Sequence, residues 1–327
     1  MGLKTNPSLS PASPDPASTP RGEVPATRGQ DARYRAFLEV VAHLRPRLHR
    51  YCTRMTGSAL DGEDVVQEAL FDAYRGLDRY DESRPMAPWL LRIAHNRSLD
   101  LLRRRKTRAH IEIEHSQVSE PVAAHEPDTA LGVPAALEAL VIALPPKERA
   151  CVLLKDVLGY SLEDAATVVD STLGGVKAAL HRARTKLAEV RDIEQPTRQP
   201  SAEELRVLEL YVERFNRQDW DGVLELTRAD ARLELIDVYG GLLTEAPGYF
   251  NHYHQATIPW QLIVGIVDGD PVALCQHRDG DGWTLVSAIK LRLDRGRIAE
   301  IRDYTHCEWL LPTAASVRFH PEVGTTS

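Results

Sequence analysis

The sequence predicts a multi-domain chain: two all-α helical domains followed by an α+β domain. Three observations predict it. Apolar residues recur at helical spacing over residues 31–106 and again over 134–190, with a polar stretch between them. Beyond residue 200 a helical opening gives way to β-rich runs punctuated by turn clusters. The charge is also divided: residues 31–105 carry 14 Lys+Arg against 11 Asp+Glu, residues 134–190 carry 7 against 7, and residues 201–327 carry 12 against 20. The formal net charge of −7 is therefore an average over a mildly basic front and an acidic last third.

The 327 residues are 43% apolar and 27% charged, enough for two or three domains with their own cores. No apolar run approaches the roughly 18 residues that a membrane span needs. An apolar leader is also missing from the N-terminal sequence, so no secretory signal is expected. Cys52, Cys151, Cys275 and Cys307 are widely spaced with no CxxC pair. Reduced, buried thiols in a cytoplasmic protein are expected, with no metal and no cofactor.

Taken in order, residues 1–30 hold six prolines among Ser, Thr and Ala, and are read as a disordered tail. Within 31–106, Val66, Ala69, Leu70, Ala73 and Leu77 make an apolar stripe on one helix, while Asp61, Asp64, Glu68 and Asp72 make an acidic one. By itself an acidic stripe is a solvated helix face. Pro88 opens a later helix on which Trp89, Ile93 and Leu101 group as apolar residues and Arg92, Asn96 and Arg103 share a different face. Arg and Asn on one face suit phosphate and base contacts, although a basic last turn is also what the helix dipole favours.

A polar stretch with Pro121 and Pro127, residues 107–133, reads as a linker. In 134–190, Ser161 is placed to cap one helix with Asp164 at its third position, and Thr172 to cap the next. That next helix has Val176, Leu180, Ala183 and Leu187 on its core side and Lys177, His181 and Arg184 together on another, flanked by Arg182 and Lys186. Helix, short break, and a helix with a basic exposed face is the helix-turn-helix pattern, whose second helix enters the major groove. A plain helical hairpin would share much of it.

Residues 191–200, with Pro196 and Pro200, are a second linker. In 201–320, Leu205, Leu208, Val212 and Phe215 recur at helical spacing. Turn clusters follow at Asp268-Gly269-Asp270-Pro271, Asp279-Gly280-Asp281-Gly282 and Asp294-Arg295-Gly296. An antiparallel meander with helices on one face is expected, then a short tail at 321–327.

The stretches DGEDVVQEALFDAYRGLDRYD, APWLLRIAHNRSLDLLRRR, ALPPKERACVLLKDVLGYSLEDAA and VKAALHRARTKL, in that order, resemble the extracytoplasmic-function (ECF) sigma factors of the sigma-70 family. The resemblance covers about residues 31–190 and implies sigma region 2 at 31–106 and sigma region 4 at 134–190. It implies core RNA polymerase as a partner, through the clamp helices of its largest subunit, with Asp61, Glu63, Asp64, Gln67 and Glu68 on the docking face. It implies promoter DNA as the second partner. Tyr80, Arg84, Arg92, Asn96 and Arg103 would act at the −10 element, and Ser161, Thr172, Lys177, His181, Arg182 and Arg184 at the −35 element. Trp89 is read as core rather than as a stacking platform. Gly175, Ala179 and the turn residue Asp170 depart from the family's usual side chains at the −35 helix.

The runs LELYVERFNRQDWDGV (208–223), DARLEL (230–235) and GRIAEIRDY (296–304) resemble the SnoaL-like domain, a cone-shaped α+β fold of polyketide cyclases and small-ligand binders. His252, His254, His277, Asp303 and His306 are candidate pocket residues. An acid–base site would need an Asp–His pair in hydrogen-bond reach, and a strand bulge would swap which residues face inward. The expected function is a non-enzymatic sigma factor that initiates transcription, with its C-terminal domain regulating it in cis by masking. The alternative is a SnoaL-like small-molecule enzyme or ligand sensor fused to a DNA-binding module.

Overall fold

The computed structural model describes residues 28–115, 144–189, 200–280 and 282–319. Most of the expected tails and linkers lie outside these residues. The chain divides into two compact units, residues 1–39 and 40–327. Of the first, residues 28–39 form the opening turns of α1 (Arg28–Thr56), so helix begins inside the segment expected to be a disordered tail.

The second unit holds the rest of α1, then α2 (Ala59–Gly76), a 3-10 turn at Leu77–Arg79, and α3 (Met86–His115). Ser58 caps α2, its hydroxyl oxygen accepting from the Asp61 backbone N–H at 3.3 Å. Gly62 lets α2 lie against α1, since a Cβ there would sit 2.6 Å from the Thr53 backbone nitrogen. Val65, Val66, Ala69 and Ala73 fill the inner face of α2. On α3 the buried residues include Pro88, Leu90, Leu91, Ala94, His95 and Ser98. Trp89, Ile93 and Leu101, expected in the core, are only half-buried. The helix also runs past residue 106 to His115, because Arg103 to Lys106 favour helix and no proline follows until Pro121. The first nine residues of the expected linker are therefore helical.

The second helical domain contains α4 (Pro146–Val152), a π-turn at Leu153–Val157, α5 (Leu162–Val168) and α6 (Leu173–Glu189). Ser161 caps α5 as expected, accepting from the Asp164 N–H at 2.9 Å. The Gly175 N–H donates to the Thr172 hydroxyl oxygen at 3.0 Å, which caps α6. Asp170 takes φ +49 in the turn between them, a left-handed conformation that Asp tolerates better than most residues. Helix α6 buries Val176, Ala179, Leu180 and Ala183.

The C-terminal domain opens with α7 (Ala202–Asn216), held by a Ser201/Glu204 capping box, and α8 (Trp220–Glu225). Its strands are β1 (Thr227–Leu235), β2 (Tyr239–Leu242), β3 (Trp260–Val267), β4 (Asp270–Asp279), β5 (Gly282–Asp294), β6 (Arg297–Asp303) and β7 (Val317–Phe319). Two short helices, α9 (Gly248–His254) and α10 (Leu310–Thr313), are inserted. The sheet order is β2-β1-β6-β5-β4-β3-β7. Strands β3 to β6 form the expected antiparallel meander, and β1 joins β6 in parallel. Asp268-Gly269 and Arg295-Gly296 both take positive φ, the requirement of a tight two-residue hairpin turn.

Both faces of this sheet are buried. Ala273 and Cys275 face a core with Leu208, Tyr211, Phe215, Tyr249 and Tyr253 from α7 and α9. Val272 and Leu274, alternating with them on β4, face a second core with Ala288, Tyr304, Cys307 and Leu310. Ala59 and Leu60 of α2 belong to that second core and are fully buried in it. Helices α7 and α9 lie on one face as expected, but the short α10 and the start of α2 cover the other.

Candidate functional site

Three groups of residues can be located from the sequence expectations, and the first is the acidic end of α2. Glu63 is fully buried. It pairs with Arg45, which in turn reaches Asp237 at 2.9 Å, and its Oε2 accepts from the Trp309 indole N–H at 2.7 Å. The Arg45 guanidinium also lies 5.1 Å from the Trp309 ring. Asp64 Oδ1 pairs with Arg302 of β6 at 2.5 Å and accepts from the Tyr304 hydroxyl at 3.3 Å. Burial raises the Asp64 carboxyl, while Arg302 and Lys290 act to lower it. Asp61 pairs with Arg105 and lies 3.9 Å from Lys290 of β5. At the start of α2 the Ala59 N–H donates to Asp268 at 2.8 Å, so a carboxylate from a sheet turn satisfies one of the helix's orphan donors.

Farther along α2 the same stripe is open. Glu68 is exposed and lies 3.5 Å from Arg97, and Gln67 is half-buried. Gln67, Leu70 and Phe71 line an open cleft of about 490 Å³ with Arg45 and the segment Glu234–Gly240. Phe71 and Tyr74 are largely exposed, an apolar strip beside the acidic one. The five expected docking residues thus split: Asp61, Glu63 and Asp64 are covered, whereas Gln67 and Glu68 remain near the surface.

The second group surrounds an open cavity of about 530 Å³ between α2 and α3, lined by Asp72, Gly76, Arg79, Trp89, Ile93, Asn96, Arg97 and Asp100. Arg97 Nε donates to Asp72 at 2.5 Å, which fixes the guanidinium across the floor. Trp89 is not the core residue expected: its ring packs at 4.8 Å from that of Tyr80, and both rings are partly exposed. The Tyr80 hydroxyl donates to the Arg84 carbonyl, which closes the loop from Tyr80 to Pro85. Arg84 and Arg103 are exposed cations with nearby carboxylates at Asp81 (3.4 Å) and Asp100 (2.9 Å). Arg92 pairs with Asp170 of the second helical domain at 3.2 Å.

On α6 the exposed residues of the N-terminal half are Leu173, Gly174, Lys177, Ala178 and His181. Arg182 and Lys186 both reach Glu148 of α4 at 2.8 Å, and Arg184 makes a two-pronged pair with Asp156 at 2.7 and 3.2 Å. The Glu148 carboxyl is held below its usual range by these two cations. Ser161 and Thr172 serve as helix caps. Ala179, noted as a departure on the reading face, is fully buried on the core side, so it removes nothing from that face.

The third group does not converge. Asp303 is fully buried and accepts from the hydroxyls of Tyr249 at 3.0 Å and Tyr253 at 2.6 Å, and from the Thr305 backbone N–H and hydroxyl. Among the described residues no histidine bonds to it. His252 and His254 are exposed on α9, with His254 bonded to Gln218 at 2.7 Å. His277 is half-buried on β4, just past a bulge at Cys275/Gln276 of the kind that was expected to shift facing. His306 is exposed, and its charge bears on Asp237. The cone interior is filled by rings: Phe215 packs against Tyr211, Trp220, Tyr249, Phe250, Tyr253 and Trp260 at centroid distances from 4.8 to 6.5 Å. No cluster of three or more His, Cys, Asp or Glu placed to hold a metal occurs among the described residues. Nor is any described helix long and apolar enough to cross a membrane.

Comparison with known proteins gives matches to two family models, sigma-70 region 2 over residues 40–108 and sigma-70 region 4 over residues 135–187. The ECF RNA polymerase sigma factor SigG of Mycobacterium tuberculosis is 31% identical over 276 residues, 73% of this chain and 74% of that protein. The crystal structure of the extracytoplasmic function sigma factor SigJ of M. tuberculosis covers 81% of this chain and 95% of that one, at 17% identity and a TM-score of 0.33. A candidate polyketide cyclase from Xanthomonas campestris covers 34% of this chain and 96% of its own, at 18% identity and a TM-score of 0.26.

Proposed function

Because the chain belongs to the extracytoplasmic-function RNA polymerase sigma factors, we propose that it docks on core RNA polymerase through the acidic face of α2 and reads promoter DNA with α3 and α6. Asp61, Glu63, Asp64, Gln67 and Glu68 form the docking face, and the polymerase clamp helices are its target. The exposed Phe71 and Tyr74 beside Glu68 support this reading, since an apolar strip with an acidic rim suits a protein surface more than a nucleic acid.

The observation that carries the promoter reading is the cavity between α2 and α3. It joins the partly exposed ring of Trp89, against which Tyr80 packs, to the amide of Asn96 and the guanidinium groups of Arg79 and Arg97. Rings accept the face of an unstacked base, an amide reads its edge, and cations hold its phosphates. Capture of one base from the −10 element would make strand opening favourable there, with Arg84, Arg92 and Arg103 tracking the backbone. At the −35 element the N-terminal half of α6 enters the major groove. Lys177 and His181 supply the polar contacts, with Arg182 and Arg184 towards the backbone.

No bond chemistry is assigned to the C-terminal domain. Asp303 has its lone pairs taken by tyrosine and threonine donors, and aromatic rings occupy the space that a substrate would need. Its role is regulation in cis.

Run-off transcription with purified core polymerase tests the reading. The full chain should direct initiation from a subset of a promoter library, and Asn96→Ala with Trp89→Ala should reduce open-complex formation at least tenfold. Absence of promoter-specific transcripts under every condition would refute it.

A further inference from the structure

Helix α3 carries a run of exposed cations, Arg103-Arg104-Arg105-Lys106 and Arg108. In a last helical turn the dipole would account for them. Here α3 continues to His115, seven residues beyond Arg108, and its final turn holds Glu112 and Glu114. Arg104 and Arg108 also stand at i, i+4, a spacing at which like charges destabilise a helix. The run therefore works against the helix that bears it. Its members are sorted by side. At about 100° per residue, Arg105 points away from the Asn96 side. It pairs with Asp61 and donates to the Thr56 carbonyl at 3.1 Å. Thr107 falls on the Asn96 side, with Arg104 and Arg108 on one flank and Arg103 and Lys106 on the other. Arg103 lies 2.9 Å from Asp100. Among the described residues no carboxylate is paired with Arg104, Lys106 or Arg108.

We propose that this side of α3 is a duplex-binding strip. Arg104, Lys106 and Arg108 hold the phosphates of paired promoter DNA just upstream of the base captured beside Asn96, and so set the upstream edge of the opened segment. The inference rests on the cavity between α2 and α3 being the base-capture site, as argued above. The distances fit. At about 1.5 Å per residue, Arg104 and Arg108 lie about 12 and 18 Å along the axis beyond Asn96. At about 3.4 Å per base pair, that is roughly four to five base pairs of duplex. The direction fits as well, because the −35 element lies upstream and the chain leaving α3 leads to α6, its reader. Two rows of long cations with a hydroxyl between them suit a phosphate backbone, which asks for charge and reach but no base-specific geometry. Duplex DNA carries a denser charge than a single strand and releases more counterions, so cations fixed there favour the paired form. Opening is thereby confined to the cavity side of the strip.

The test uses the full chain assembled with core polymerase and forked promoter DNA that is single-stranded from the captured base downstream. The upstream duplex extends either about one or about eight base pairs, short of the strip or along all of it. Arg104→Gln with Arg108→Gln removes two charges and keeps good helix formers, and circular dichroism confirms the fold. On the long fork this variant should bind at least tenfold more weakly than wild type. Its plot of log affinity against log salt should be shallower by about 1.8, or about 0.9 per lost contact. Lys106→Gln should lower the slope by about half as much. On the short fork both variants should match wild type. On a fully paired promoter, permanganate should find thymines reactive farther upstream with the double variant than with wild type. An unchanged slope on the long fork, an equal loss on both forks, or an unmoved permanganate edge overturns the proposal. Failure of wild type to bind either fork overturns the base-capture reading and this inference with it.

Discussion

Arg302 on β6 and Asp64 on α2 are 238 residues apart in the chain and 2.5 Å apart in space. This pair shows which surface of the helical front the acidic C-terminal domain touches. Its net negative charge would draw it toward the basic DNA-reading helices. Instead, its local cations Lys290 and Arg302 meet the carboxylates of α2, so the sign of a patch overrides the sign of the domain.

The same joint should be sensitive to acid. His49 is fully buried between α2 and α10, with Nε2 donating to the Ala59 carbonyl at 3.0 Å and Nδ1 3.0 Å from the Thr313 hydroxyl oxygen. Burial, aided by the charges of Arg45 and Arg54, lowers its pKa to about 4. The unfolded chain takes up this proton near pH 6.5 and the folded chain only near pH 4. Stability is therefore full above pH 6.5 and falls between pH 6.5 and 4, by roughly 3 kcal/mol for such a shift. His95, also lowered to about 4 by burial, adds a similar slope. Urea titrations across this range should show a shallower pH dependence for His49→Gln than for wild type. Equal slopes would show that His49 takes up its proton alike in the folded and unfolded chain.

Gly62→Ala places a methyl against the Thr53 backbone, with nothing flexible to yield. A loss of about 1–3 kcal/mol is expected from overpacking. A thermal melt within a degree of wild type would mean that α2 can shift on α1.

On α6, Lys177→Ala should weaken promoter binding and lower its salt dependence by about one charge. Arg182→Ala should do less to DNA binding and more to stability, because Arg182 and Lys186 share Glu148. Fluorescence anisotropy at three salt concentrations separates the two. A larger DNA effect for Arg182 would place the groove contact farther along the helix.

In the C-terminal domain Tyr253→Phe removes one of the donors to buried Asp303 and should cost about 1–3 kcal/mol. Asp303→Ala should cost more, since it removes the carboxylate acceptor from two buried tyrosine hydroxyls and leaves Tyr253 with Thr305. Chemical unfolding of the full chain, followed by tryptophan fluorescence, reports both. Equal costs would show that water enters to replace the carboxylate.

Much of the helical front was legible, for a local reason. The Ser161 and Thr172 caps, the apolar stripe of α6 and the two-residue turns at Asp268-Gly269 and Arg295-Gly296 depend on neighbours within a few residues. The errors fell where one face of a helix had to be chosen. Trp89 shares a helical stripe with Ile93, yet Leu90, Leu91 and Ala94 are what α3 buries, which leaves the indole to line a cavity. The candidate pocket failed for a related reason. Spacing along strands could not reveal that Asp303 faces tyrosines while His306 faces out beyond the strand end. One signal for the joint was present: Val272-Ala273-Leu274-Cys275 is apolar without alternation, the mark of a strand covered on both sides.

The sequence by itself determined the order of the domains, the family of the first two and the strand-rich character of the third, because periodicity, caps and turns are short-range properties. Tertiary structure alone decided that α2 turns its acidic end into the back of the sheet. That choice depends on Lys290 and Arg302 lying side by side in strand register and on the apolar surface around them. Neither the cross-strand pairing nor a partner more than 220 residues away is written in any local pattern.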